Sequence, residues 1–113
     1  RVMGGVIDAS GQPIGRRTYK RTSESTGGYA PQVHITNSDG SDTEKFGCRG
    51  ICVDPNSTTS RFETDPLPAG HYILKVEIPN LVMATKEFDV TYDKKEISLG
   101  SITVNGGVPF DNY

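Results

Sequence analysis

Alternation of apolar and polar residues is clearest in the second half of the chain. Every second residue from Tyr72 to Ile78 is apolar, and most of the residues between them are polar or charged. A period of two is typical of a strand with one buried face. Just before this stretch, Pro66 and Pro68 exclude a helix, because proline fixes φ and has no amide hydrogen. The pattern predicts a strand that follows a rigid corner.

Similar short runs recur along the chain between polar segments rich in glycine, proline, asparagine and aspartate. No window keeps the 3.6-residue apolar period of a helix. Together with the strand at 71–78, the predicted strands cover residues 2–8, 30–36, 46–53, 58–64, 82–92 and 97–104. About seven short strands at this spacing predict an all-β sandwich.

Composition narrows the function classes. The chain has 113 residues, enough for one domain, and 34% hydrophobic residues, which favours a thin two-layer core. Its net charge is −2, so we expect no nucleic-acid partner. No stretch approaches the roughly 18 apolar residues of a membrane span, so no membrane insertion is expected. The chain begins at Arg1 without a methionine, and we interpret it as a mature or excised piece.

Three segments resemble one family in the right order. The opening GGVIDASGQPI, the central RFETDPLPAGHYILKVEI and the closing KEISLGSITV are similar to the motifs of carboxypeptidase-regulatory-like domains, also called transthyretin-like or prealbumin-like. That family begins G-x-V-x-D-x-x-G-x-P-L and continues with F, L-P-x-G-x-Y and an alternating strand. The matches cover about two-thirds of the chain.

The resemblance implies an all-β, seven-stranded Greek-key sandwich of the immunoglobulin or prealbumin type. The domain would span residues 1–104, and residues 105–113 would be a linker, or a strand offered to a neighbour. Residues 15–29 depart from the family pattern and predict one long inserted loop. Such domains are mostly structural or adhesive and not catalytic, and they commonly stand within longer secreted or cell-surface proteins. We therefore expect a non-enzymatic module of a microbial surface or extracellular assembly, such as a stalk, adhesin or filament subunit, without a cofactor.

The inserted loop is the most plausible place for partner binding. It combines four positive charges with aromatic residues in a chain that is acidic overall. Arginine pairs with carboxylates through two hydrogen bonds, which suits an acidic neighbouring subunit or polysaccharide. A solvated loop without a partner has the same composition. No core-forming residue is expected between Arg16 and Gly28, and the candidate partner-binding residues are Arg16, Arg17, Tyr19, Lys20, Arg21 and Tyr29.

The alternative function is a carbohydrate-binding module appended to a secreted enzyme. In that hypothesis Tyr19, Tyr29 and the surrounding arginines form a platform for sugar. The absence of tryptophan and the small number of aromatic residues count against it. A glycan array and a polymerisation assay would separate the two hypotheses.

The two cysteines predict a local disulfide. A straight strand would hold Cys48 and Cys52 about 13 Å apart, whereas a disulfide needs Cα atoms within about 7 Å. Gly47 and Gly50 allow the segment to fold into a small loop that closes this gap. An extracellular location favours oxidation, so we expect a Cys48–Cys52 bridge. Two separate buried thiols are the other interpretation.

Other chemistry has weaker candidates. Asp39, Asp42 and Glu44 surround Gly40 in a polar turn, a composition found both in weak structural calcium sites and in turns without an ion. We therefore predict no metal and keep these three residues as the calcium candidates. His34 and His71 occupy polar positions of two different strands, which favours exposed histidines over a catalytic pair.

Overall fold

The computed structural model describes residues 1–15, 17–24, 27–39, 51–53, 59–64, 66–94 and 96–110. For residues 51–53 and 110 the description covers the backbone alone.

The described part of the chain forms nine strands and no helix. They are β1 (Val2–Ile7), β2 (Thr18–Lys20), β3 (Gln32–Asn37), β4 (Ile51–Val53), β5 (Arg61–Glu63), β6 (Gly70–Ile78), β7 (Leu81–Val90), β8 (Ile97–Thr103) and β9 (Val108–Phe110). The strands belong to three sheets, with the orders β5-β1-β8, β4-β3-β6-β7 and β2-β9. The all-β prediction is confirmed.

β6 and β7 are the longest strands in the described part of the chain, and they form a hairpin. Tyr72, Leu74, Val76 and Ile78 are all buried, as the alternation predicts. Tyr72 lies opposite Phe88 on β7, and the two rings stack with centroids 5.7 Å apart. The Tyr72 hydroxyl donates a hydrogen bond of 2.7 Å to the carbonyl oxygen of Pro68. This bond ties the strand to the proline corner before it, so the corner and the core are fixed together.

Residues from both larger sheets share one hydrophobic core. Val2 and Val6 of β1 and Ile102 of β8 are buried in the same cluster as Val33 and Leu74 of the four-stranded sheet. Several sheets that share a core are consistent with a β-sandwich.

Gly4 allows close packing between β1 and β5. It lies opposite Phe62, and a Cβ atom at Gly4 would come within 2.7 Å of the Phe62 ring. Real Cβ atoms essentially never make so short a contact, so a larger residue at this position would have to displace the Phe62 ring.

The strands β1 and β8 lie side by side and run parallel, whereas every other pair among the nine described strands is antiparallel. Val2 pairs with Ile97 at one end of this ladder, and Ile7 pairs with Thr103 at the other. Hydrogen bonds from Ile97 N to the Arg1 carbonyl (2.8 Å) and from Val104 N to the Ile7 carbonyl (2.9 Å) close its two ends. The chain therefore enters β1 at one end of the sheet and leaves β8 at the opposite end.

The segment predicted as an inserted loop contains a strand. β2 lies within residues 15–29 and pairs with β9, so that Thr18 lies opposite Phe110 and Lys20 opposite Val108. Tyr19, the middle residue of β2, is only 4% exposed and belongs to the core. The expectation that residues 16–28 contribute nothing to the core is therefore wrong at Tyr19. Residues 108–110, expected in a tail or linker, complete this two-stranded sheet.

Candidate functional site

Arg17, predicted to contact a partner, forms an ion pair with Asp8 within the domain. Its Nη1 atom lies 2.6 Å from Oδ2 of Asp8, which follows β1. The other carboxylate oxygen, Oδ1, accepts hydrogen bonds from the Ser10 hydroxyl (2.6 Å), the Ser10 amide (2.9 Å) and the Gln12 amide (3.0 Å). The carboxylate thus holds the turn after β1 and the start of β2 together.

These partners stabilise the charged form of Asp8. The hydrogen bond from the Ser10 hydroxyl contributes most to lowering the pKa of Asp8, followed by the Gln12 amide. The Ser10 amide and the charge of Arg17 lower the pKa further, against an opposing effect of burial. Asp8 is therefore a structural carboxylate, and Arg17 is part of its environment.

The other residues of the predicted basic loop differ in their surroundings. Lys20 Nζ lies 3.5 Å from the carbonyl oxygen of Ser23, and Arg21 is exposed. Tyr19 is buried, so its ring does not offer a surface to a sugar or a protein. Arg16 lies outside the described residues. Partner binding by the exposed part of this segment stays a prediction.

Tyr29 remains available to a ligand. Its backbone forms two hydrogen bonds with Tyr19, from Tyr19 N to the Tyr29 carbonyl and from Tyr29 N to the Tyr19 carbonyl, each 2.9 Å long. Its side chain is 43% exposed, in contrast to the buried ring of Tyr19. The paired backbone therefore fixes an exposed aromatic ring beside the start of β3.

A polar cleft of about 540 Å³ opens beside Tyr29. Besides Tyr29, its lining includes Gln32 at the start of β3, Glu77 near the end of β6, and Pro79 and Asn80 in the turn to β7. Gln32 and Glu77 lie directly opposite each other in the sheet. Asn80 has a φ of 64°, which this tight turn requires and asparagine tolerates better than most residues.

His34 fixes the carboxylate of Glu77. The distance from His34 Nδ1 to Glu77 Oε1 is 2.8 Å, and the His34 side chain is only 14% exposed. The expectation of an exposed histidine at position 34 is therefore wrong. The Nε2 atom of His34 is buried and has no hydrogen-bond partner among the described residues. Sequence alternation placed His34 on the outer face of β3, but only the pairing of β3 with β6 brings Glu77 beside it.

His71 is exposed, as predicted, but it lies between two carboxylates on the outer face of the β6–β7 hairpin. Its Nδ1 atom is 2.5 Å from Asp89 Oδ1, and its Nε2 atom is 3.4 Å from Glu87 Oε1. The hydrogen bond to Asp89, and then that to Glu87, raise the pKa of His71. Asp89 and Glu87 both lie on β7, so no sequence motif next to His71 indicates that these three residues form one group.

The cysteine and calcium predictions fall largely outside the described residues. Cys48, Asp42 and Glu44 are not among them, and Cys52 is described only by its backbone, opposite His34. Asp39 lies in the turn after β3. No group of three or more candidate metal ligands occurs in the described part of the chain. Nor does that part contain a helix long and apolar enough to cross a membrane.

Comparison with known proteins gives no relative from which a site could be transferred. No family model, curated protein or solved structure matches this chain. The resemblance to carboxypeptidase-regulatory-like domains therefore rests on the three sequence motifs alone.

Proposed function

We propose that this chain is a non-catalytic structural module that carries load through β1 and β8 in an extracellular or cell-surface assembly. The observation that carries the proposal is the parallel pairing of β1 and β8. A load applied between Arg1 and Asn105 pulls these strands in opposite directions along their length. The hydrogen bonds of the ladder then share the load, whereas strands pulled apart from one end lose their bonds one at a time.

Contacts at both ends of the ladder support this role. Near the entry, Arg1 Nε lies 2.7 Å from Glu63 Oε1 on the neighbouring strand β5. Past the exit, the Asn105 amide donates a hydrogen bond of 2.8 Å to the carbonyl oxygen of Met83 on β7. The chain is thus attached to the three-stranded sheet just before β1 and to the four-stranded sheet just after β8.

The outer strands favour a stalk over a filament built by strand exchange. β5 is outermost in its sheet and has only three residues, and β4, outermost in the other sheet, has three residues within the described part of the chain. In β8, the left-handed φ of 70° at Gly100 accompanies a break in the β1–β8 register. On β7, the exposed Lys86 lies opposite the buried Leu74 and places a charge on the core side of the sheet edge. Short, irregular and charged edges oppose pairing with another chain.

The proposal extends to topology and location. We propose that the three strands of one larger sheet and the four of the other are the seven strands of a Greek-key sandwich of the prealbumin type. In this interpretation β2 and β9 are additions contributed by the inserted segment and by the residues after β8. The resemblance to carboxypeptidase-regulatory-like domains supports both this topology and a microbial surface or extracellular location. A Cys48–Cys52 disulfide is proposed with that location.

The proposed partners are neighbouring domains or subunits of the assembly. A polysaccharide is a further proposed partner. The carbohydrate-binding hypothesis required both Tyr19 and Tyr29 to contact the sugar, and Tyr19 is buried. The exposed ring of Tyr29 and its polar cleft still favour sugar binding at a different set of residues.

Labelling of intact cells tests the location. A membrane-impermeant amine reagent is applied to cells that produce the chain, and labelled lysines are identified by mass spectrometry. The exposed Lys86 and Lys94 should be labelled before lysis. Labelling only after lysis would contradict an extracellular assembly. The load-bearing role predicts high resistance to unfolding along the line from Arg1 to Asn105.

A further inference from the structure

The cleft beside Tyr29 has the features of a ligand site. Its volume of about 540 Å³ lies within the range of roughly 300–1,000 Å³ that is typical of small-molecule sites. Its lining combines one exposed aromatic ring with amide and carboxylate groups. From this lining we infer that the cleft binds one unit of a neutral polysaccharide. The site is independent of the load-bearing role, because no residue of β1 or β8 is needed to form it.

The aromatic ring supplies the apolar part of the site. Tyr29 is 43% exposed, and its two backbone hydrogen bonds to Tyr19 hold it against a residue of the core. The C–H face of a sugar ring packs on an aromatic face, and tyrosine provides this area with little loss of side-chain entropy. An exposed ring on a fixed backbone is therefore ready to bind before the ligand arrives.

The polar groups match hydroxyls better than they match ions. Gln32 and Asn80 each carry an amide, which both donates and accepts hydrogen bonds as a sugar hydroxyl does. Glu77 adds an acceptor whose orientation is set by His34 at 2.8 Å. Among the described residues that line the cleft none is cationic, so a phosphate, sulfate or uronic acid finds no partner charge there. The chemistry of the lining favours a neutral sugar.

Two substitutions remove ligand contacts without disturbing the backbone. Tyr29→Ala removes the ring but keeps both backbone hydrogen bonds to Tyr19. Asn80→Gly removes the amide, and glycine accepts the φ of 64° at this turn. Tyr92→Ala is the matched control, because Tyr92 is 90% exposed and does not line the cleft.

The test is a titration of the full chain, followed by nuclear magnetic resonance, with neutral hexasaccharides of glucose, mannose and N-acetylglucosamine. An anionic galacturonic acid oligomer serves as the comparison. At least one neutral probe should shift the amide signals of residues 29–32 and 77–80 more strongly than the anionic oligomer does. Tyr29→Ala and Asn80→Gly should weaken that binding, Tyr29→Ala by at least about tenfold, while Tyr92→Ala should bind as the parent does.

Three results would overturn the inference. The first is that no neutral probe at millimolar concentration shifts the amide signals of the cleft residues. The second is a stronger response to the anionic oligomer than to any neutral one. The third is equal binding by the parent and a folded Tyr29→Ala variant. The unfolding force of the chain plays no part in these measurements, so failure here leaves the structural role to be decided separately.

Discussion

Arg17 and Asp8 form an ion pair of 2.6 Å between the start of β2 and the turn after β1. This pair divides the positive residues of the inserted segment into two groups. Arg17 holds the segment to the domain, whereas Arg21 is exposed. Replacing all the positive charges together would therefore mix an effect on stability with any effect on binding.

The two arginines are separated by single substitutions. Arg17→Ser should lower the melting temperature, because Asp8 loses a charged partner, while Arg21→Ser should leave it nearly unchanged. Calorimetry of the two variants and the parent measures this difference. Equal melting temperatures for all three chains would mean that the Arg17–Asp8 pair contributes nothing to stability.

The lowered pKa of Asp8 predicts a pH dependence of stability. The folded state favours the ionised carboxylate, so the stabilisation is fully present above the ordinary pKa of 3.8 and is lost as the pH falls through the lower folded pKa. The free energy of unfolding of the parent should exceed that of Asp8→Asn near neutral pH, and the two should converge in acid.

Ser10→Ala provides the control for this explanation, because the Ser10 hydroxyl makes the largest contribution to the shift. In that variant the pKa of Asp8 should move back towards 3.8. An unchanged pKa, measured by nuclear magnetic resonance, would show that the hydroxyl is not its main cause.

His71 predicts the opposite pH dependence. Its raised pKa means that the protonated ring is favoured in the folded state by Asp89 and Glu87. The stabilisation is fully present below the ordinary pKa of 6.5 and is lost as the pH rises through the higher folded pKa. His71→Gln should therefore be less stable than the parent in mild acid and equally stable at alkaline pH. Asp89→Asn should lower the pKa of His71; if it stays as in the parent, Asp89 is not the cause of the shift.

Sequence patterns predicted the long strands and missed the features that depend on pairing between strands far apart in the sequence. The alternation from Tyr72 to Ile78 is visible because a half-buried strand of nine residues repeats its pattern several times. β2 has only three residues, too few to show a period, and its partner β9 lies near the other end of the chain. The cleft depends equally on pairing, since Gln32 and Glu77 meet only when β3 lies beside β6.

Tyr19 tests whether the inserted segment belongs to the core. Tyr19→Ala should reduce the free energy of unfolding by about 3 kcal/mol, because a buried aromatic side chain leaves a cavity. Leu74→Ala, on the central strand, should cost about 2–5 kcal/mol. Tyr92→Ala removes the same side chain from a site that is 90% exposed and should cost less than about 0.5 kcal/mol. Denaturation in urea gives the three values. Similar values for the two tyrosine variants would place Tyr19 at the surface.

The parallel ladder between β1 and β8 is tested most directly by pulling single molecules in two directions. One handle is attached at Arg1 in both experiments. The second handle is placed either at Asn105, beyond the far end of the ladder, or at Glu96, beside the near end. Both positions are exposed, and both handles load the same hydrogen bonds. Only the direction of the load differs, along the strands with Asn105 and across them with Glu96.

At the same pulling speed, the load-bearing role predicts a several-fold higher unfolding force for the Arg1–Asn105 handles than for the Arg1–Glu96 handles. In the first geometry the hydrogen bonds of the ladder resist together, and in the second they open in sequence from the Val2–Ile97 end. Equal unfolding forces in the two directions would contradict the proposal that this module carries load through β1 and β8.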